Sequence, residues 1–237
     1  ANGQVYVKTI DGKLTALTAS NGQAAWTYDE GATELQLLGS SSAVVSGNTV
    51  VAGFSDGKVN AINANNGQLI WQTTVATPQG FSDVSQMVGI FANPVVYGGV
   101  VYVASYHGTV SALDLSSGHI IWQHPLSDYA GLAVNGDGVF AINTNGIIFA
   151  FSRDDGTMLW KQAALKGRQL SGTAIDDNNV VVGDNQGSLH WLSTQDGHFT
   201  ARAYLGKSPI VVTPLVVSGN VIAMTQNGTV FVLRLSA

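Results

Sequence analysis

The chain contains no cysteine. That single absence removes disulfides, thiol nucleophiles and thiolate-ligated metal sites together, and it leaves the compartment open. Charge is scarce as well. Asp, Glu, Lys and Arg make up 11% of 237 residues, against about 25% in an average soluble domain. The ten Lys and Arg never cluster, and the net charge is −5. No basic patch is therefore available to displace counterions from phosphate, which excludes a nucleic-acid surface. No apolar run approaches the roughly 20 residues that a helix needs to span a bilayer, and sustained helical periodicity is missing.

What is present is glycine and apolar side chains: 28 glycines, with 45% of the chain hydrophobic. Val, Ile, Leu and Trp run along the whole length, so the low charge points to many short strands joined by tight turns, and not to disorder. An internal repeat organises them. A glycine recurs at Gly12, Gly57, Gly108, Gly146, Gly187 and Gly228, in steps of 45, 51, 38, 41 and 41 residues. A second follows ten residues later at Gly22, Gly67, Gly118, Gly156 and Gly197. Trp26, Trp71, Trp122 and Trp160 each stand four residues beyond their second glycine.

Each copy reads as strands. An apolar run such as Val100-Val101-Tyr102-Val103 precedes the first glycine, an alternating strand such as Lys58-Val59-Asn60-Ala61-Ile62-Asn63 follows it, and the tryptophan strand follows the second. A short proline-led segment, as in Pro94-Val95-Val96-Tyr97, opens the copy. Asp-Gly and Asn-Gly at the turns predict two-residue hairpins with both central residues at positive φ. Four antiparallel strands per roughly forty residues is the blade of a β-propeller. The phase predicts 22 strands, about five and a half blades, over a single domain spanning 1–237. Because an open ring exposes unpaired strand edges, this count is read as part of a larger propeller.

Trp26, Trp71, Trp122 and Trp160 are read as packing residues between blades, with the small Ala16, Ala61, Ala112 and Ala150 making room for the rings. The fifth copy inverts the rule: Ala201 stands at the tryptophan position and Trp191 at the alanine position. A paired swap of this kind conserves volume, so Trp191 is expected to fill the space left at Ala201.

Chemistry is hard to find. His107, His119, His124, His190 and His198 form no metal-ligand spacing, and His107 occupies a hairpin turn. Most acidic residues lie in turns. Asp176, Asp177 and Asp184 are expected in a solvated loop at one rim, with calcium as the other reading of that cluster. No nucleophile elbow and no phosphate-cradling loop is present. No catalytic residue, cofactor or metal is therefore expected. Two segments break the blade length, Tyr28 to Ser46 and Ala76 to Asn93. Both connect a tryptophan strand to the next blade, both are apolar, and both should emerge on the same face of adjacent blades as a partner surface.

The pattern Ala61, Asn63, Gly67, Trp71 resembles the repeat of the pyrroloquinoline-quinone-type propellers. Within that group the quinoprotein alcohol dehydrogenases are similar only in the repeat, and their vicinal disulfide is absent here. The similarity to the BamB family, the lipoprotein subunit of the outer-membrane β-barrel assembly machine, covers the whole chain. It is densest at Gly183-Asp184-Asn185-Gln186-Gly187-Ser188-Leu189-His190-Trp191-Leu192 and Asp196-Gly197-His198-Phe199.

This resemblance implies an eight-bladed, non-catalytic periplasmic scaffold, lipid-anchored to the inner leaflet of the outer membrane, with the chain beginning in the third blade. It implies docking onto the POTRA domains of BamA beside the other subunits of the machine, and it leaves room for contact with nascent outer-membrane proteins. Leu35 and Leu37 match apolar contact positions of the family. Leu38 stands where the family usually has Arg, and Gly89 and Phe91 where it has an acidic pair. The other readings left by the residues are a generic ligand-binding or sensor propeller and a quinone-dependent dehydrogenase.

Overall fold

The computed structural model of the chain describes residues 1–31, 41–78, 88–127 and 130–235. Every regular element among them is a strand. They fall into two compact units, Ala1–Ser127 and Asp128–Ala237.

The first unit holds three antiparallel sheets. One contains β1 (Gln4–Lys8), β2 (Lys13–Thr18) and β3 (Ala24–Asp29). The next contains β4 (Val44–Ser46), β5 (Thr49–Gly53), β6 (Lys58–Asn63) and β7 (Leu69–Thr74). The third contains β8 (Val95–Tyr97), β9 (Val100–Ala104), β10 (Thr109–Asp114) and β11 (Ile120–Pro125).

The second unit repeats the arrangement. Its first sheet contains β12 (Ala133–Val134), β13 (Val139–Ile142), β14 (Ile148–Phe151) and β15 (Met158–Gln162). Its second contains β16 (Ala174–Asp176), β17 (Asn179–Gly183), β18 (Ser188–Ser193) and β19 (Phe199–Tyr204), and its third contains β20 (Leu215–Val217), β21 (Asn220–Met224) and β22 (Val230–Leu233). Three-stranded sheets thus stand first and last, with four-stranded sheets between them, as the phase of the repeat requires. Each sheet is a propeller blade.

Burial follows strand position within the blade. β6 is buried at its four inner residues, because sheets cover both of its faces. Edge strand β7 buries Trp71 alone. That tryptophan explains why the two repeat markers travel together. The Trp71 indole N–H donates to the Leu115 carbonyl at 2.8 Å, and its ring covers Gly118 so closely that a Cβ there would lie 2.5 Å from ring carbons. Trp26 donates to Ala64 and Trp160 to Thr194, each at 2.8 Å, over Gly67 and Gly197. Tryptophan of one blade and second glycine of the next form one lock. Trp122 is buried to the same degree as Trp71 and Trp160.

In the fifth sheet Trp191 lies directly across from Ala201. It is 2% exposed and packs with Leu189, Ile210, Val221 and Ala223. Its N–H donates to Asp176 Oδ2 at 3.0 Å, so the buried indole is paired through a side chain and not through a carbonyl.

The Asp-Gly and Asn-Gly turns differ from the two-residue hairpins expected, which occur instead at Gly98-Gly99 and Ser218-Gly219. In Phe54-Ser55-Asp56-Gly57 only the glycine has positive φ, at 80°. Phe54 N–H bonds the Lys58 carbonyl, Gly57 N–H bonds the Phe54 carbonyl, and Asp56 Oδ1 accepts from Lys58 N–H. This is the longer hairpin in which a type I turn is completed by a left-handed glycine. It asks positive φ of one residue, the glycine. The copy at His107-Gly108 inverts the requirement, with His107 itself at φ 51° and stacked on Tyr106 at 3.9 Å.

Candidate functional site

Of the residues singled out for partner contact, Leu35, Leu37 and Leu38 lie outside the described residues. Gly89 and Phe91 are described and do different things. Gly89 is buried, and its carbonyl accepts from Tyr106 N–H at 2.9 Å. A Cβ on it would strike the Phe91 ring at 2.5 Å. Phe91 is half-buried and keeps part of its ring at the surface. Between them Ile90 is 1% exposed and seats on Gly53, where a Cβ would meet its side chain at 2.3 Å. Of residues 88–92 only Phe91 therefore reaches the surface, and the other four are buried.

The structure brings the described ends of the two irregular segments together. Ser41 Oγ donates to the Ile90 carbonyl at 3.0 Å, and Ser42 N–H donates to Asn93 Oδ1 at 2.6 Å. Lys8 of β1 joins this place, its ammonium 3.2 Å from Ser41 Oγ and 5.3 Å from the Phe54 ring centroid. No carboxylate among the described residues lies within ion-pair reach of it. Burial lowers its pKa to about 8. Among the described residues the result is a rim beside Ile90 and half-buried Phe91 with one poorly solvated cation and no acidic counterpart. Sequence reading did not find Lys8, because nothing in a Val-Tyr-Val-Lys strand marks its lysine as half-buried.

Also in the first unit, Glu30, Lys58, Asn60 and Gln72 close a second polar group. Glu30 accepts from Lys58 at 2.7 Å, from Asn60 at 2.6 Å and from Gln72 at 2.9 Å. Burial works to raise the Glu30 pKa, and the hydrogen bonds from Lys58, Tyr28 and Asn60 outweigh it, leaving the carboxyl below its ordinary value.

The corresponding place in the second unit is built differently, and it overturns the solvated-loop expectation for two of three aspartates. Asp176 and Asp184 are buried, at 4% and 0% exposure. Asp176 holds the Trp191 indole. Asp184 Oδ2 takes a hydrogen bond from Arg168 and lies 2.9 Å from His190 Nε2. Its Oδ1 accepts from the backbone N–H groups of Gln186 and Ser188. Burial opposes ionisation of Asp184, and the donors led by His190 prevail, so its pKa is lowered. Burial lowers the His190 pKa, against the pull of Asp184. No group of three or more His, Cys, Asp or Glu among the described residues could hold a metal ion. Arg168 and Arg202 were not legible in the sequence, since Arg168 meets Asp184 only after two sheets pack and Arg202 meets Ser188 only once β18 and β19 pair.

Comparison with known proteins agrees with this architecture. A family model described as outer membrane protein assembly factor BamB matches residues 1–162. A second, described as the EMC1 N-terminal β-propeller domain, matches residues 90–237. The outer membrane protein assembly factor BamB of Kangiella koreensis is 36% identical over 209 residues, covering 88% of this chain and 54% of that protein. The chain spans 59% of the one from Yersinia pestis, so it corresponds to little more than half the length of these relatives. The crystal structure of BamB from Moraxella catarrhalis superposes with a TM-score of 0.91 at 26% identity, over 98% of this chain and 70% of that one. A quinohemoprotein alcohol dehydrogenase from Comamonas testosteroni reaches a TM-score of 0.68 at 14% identity, over 98% of this chain and 44% of that one, which is a likeness of fold alone.

Proposed function

The chain belongs to the family of the outer membrane protein assembly factor BamB, and we propose that it is propeller sequence of a non-catalytic scaffold that docks onto the POTRA domains of BamA. In this reading the protein works in the periplasm, held at the outer membrane by a lipid anchor, and supports insertion of outer-membrane proteins. The observation that carries it is the stapling of the two irregular segments, Ser41 to Ile90 and Ser42 to Asn93. The described ends of both segments then meet at one rim, with Phe91 partly exposed beside them. An interface core built on an aromatic anchor with few charges is the usual composition of a protein contact. The dehydrogenase reading has no support from the fold, which is shared by proteins of unrelated activity.

The test is co-purification with isolated POTRA domains, comparing wild type with the Leu35→Asp plus Leu37→Asp double variant and with Phe91→Asp. Charge placed in a desolvated interface should abolish capture in both. Undiminished capture by both variants would remove this rim as the docking face.

A further inference from the structure

We propose that the cleft between the turn after β15 and strand β19 binds a small carboxylate carrying a compact apolar body. The cleft is about 410 Å³ and is lined by Ala164, Leu165, Arg168, His190, Phe199 and Arg202, with Thr200 and Ala201 completing the wall. That volume lies within the usual range for small-ligand sites, roughly 300–1,000 Å³.

Charge selects the ligand. Two guanidinium groups and one carboxylate meet here. Asp184 is already committed, with Oδ2 facing Arg168 and His190 and Oδ1 accepting two backbone N–H groups. It has no capacity left for Arg202. Arg202 donates to a neutral acceptor, Ser188 Oγ at 2.9 Å, and no carboxylate among the described residues lies within ion-pair reach of it. That bond fixes the guanidinium at the cleft and leaves other N–H groups of its fork free for the two-point contact that suits a carboxylate.

With His190 neutral, the group carries one net positive charge. It matches a monoanion and leaves a dianion uncompensated. The remaining walls are apolar: Leu165 is buried, and Phe199 is 38% exposed beside the guanidinium.

The matching places in the first unit differ in charge, although Gln123 also lines a cleft, of about 380 Å³. In register, Asn60 and Ser111 take the position of His190, and Gln72 and Gln123 that of Arg202. Gln72 is bound by Glu30, and Gln123 by the Val75 carbonyl and Ser111. Each glutamine is spoken for by the protein. Arg202, an exposed residue, carries a charge that no carboxylate among the described residues neutralises.

The test is an amide-detected NMR titration of the full chain with 3-phenylpropionate, run beside neutral 3-phenylpropanamide and inorganic phosphate. Saturable shifts are expected at Phe199, Thr200 and Arg202 with the carboxylate and not with the amide, with phosphate weaker. Arg202→Gln should weaken binding about tenfold or more while the spectrum stays dispersed, and Lys207→Gln should leave it unchanged. Phe199→Ala, at an exposed position that folding tolerates, should also weaken it. Equal binding of the amide would reduce the cleft to an apolar depression. Tighter binding of phosphate would overturn the ligand class. Unchanged affinity in Arg202→Gln, or no saturable shift with any probe, would overturn the site.

Discussion

Two blade junctions in this chain share a lock and differ in what lies beside it. Where β3 meets the sheet of β4 to β7, Trp26 seats over Gly67. Where β15 meets the sheet of β16 to β19, Trp160 seats over Gly197 with the same 2.8 Å bond to a carbonyl. On the strand carrying each second-blade hairpin, the next polar position is Asn60 in one case and His190 in the other. The first is closed by Glu30 and Lys58, the second by Asp184 with Arg168. The repeat therefore constrains the lock, where ring, glycine and carbonyl must coincide. It leaves the adjoining inward position free to vary, provided its buried donors are held, as the Asn60 amide N–H is by Glu30 while its Oδ1 has no partner among the described residues. Individual character in a repeat fold collects at such positions.

The largest expected effect tests the shared lock. Trp160 is buried, and Trp160→Ala removes the ring, the bond to Thr194 and the cover of Gly197, for a cost of about 4 kcal/mol in chemical denaturation. Trp26 is only half-buried, so Trp26→Ala should cost about 2 kcal/mol. Equal losses would mean that the lock acts mainly through its hydrogen bond, since burial is what separates the two.

A smaller effect separates the polar fillings. Asp184→Asn strips the carboxylate from Arg168 and His190 in a fully buried setting and should cost about 3 kcal/mol. Glu30→Gln should cost about 1 kcal/mol, because Lys58 keeps Asp56 at 2.7 Å and is itself one-third exposed. A Glu30→Gln loss as large as that of Asp184→Asn would erase the distinction drawn between the junctions.

Much of this was legible in the sequence, and the limits are physical. Strand number and blade phase follow from the spacing of Gly57, Gly67 and Trp71, because those residues are constrained by local turns and by one inter-blade contact that recurs. The exchange of Trp191 with Ala201 was legible for the same reason, being a departure from a fixed beat. The hairpin type was misread, since Asp-Gly fits both a two-residue turn and the longer turn found at Asp56-Gly57. The polar fillings were invisible. Glu30 lies 28 residues from Lys58 and Arg168 lies 16 from Asp184, with no periodic signal linking either pair. Asp176 and Asp184 were misplaced at the surface because an aspartate near a turn reads as solvated until its donors are seen.

The smallest effect is the one that most sharply distinguishes the junctions. His190 is buried beside Asp184, Arg168 and Arg202. Burial and the two guanidinium groups disfavour its charged form, Asp184 favours it, and the balance lowers its pKa. In the unfolded chain the same imidazole protonates near pH 6.5. Below that value the unfolded state binds more protons than the folded one, so stability must fall as the pH drops through it. Asn60 has no proton to take up, and the first junction should show no such slope. His190→Asn should therefore flatten the stability profile between about pH 7.5 and pH 5 relative to wild type, measured as the urea midpoint at each pH. Parallel profiles would mean that His190 binds its proton equally in the folded and unfolded chain, and a wild type that gains stability on acidification relative to His190→Asn would mean that Asp184 holds the imidazolium in place and that the second junction is an ion triad.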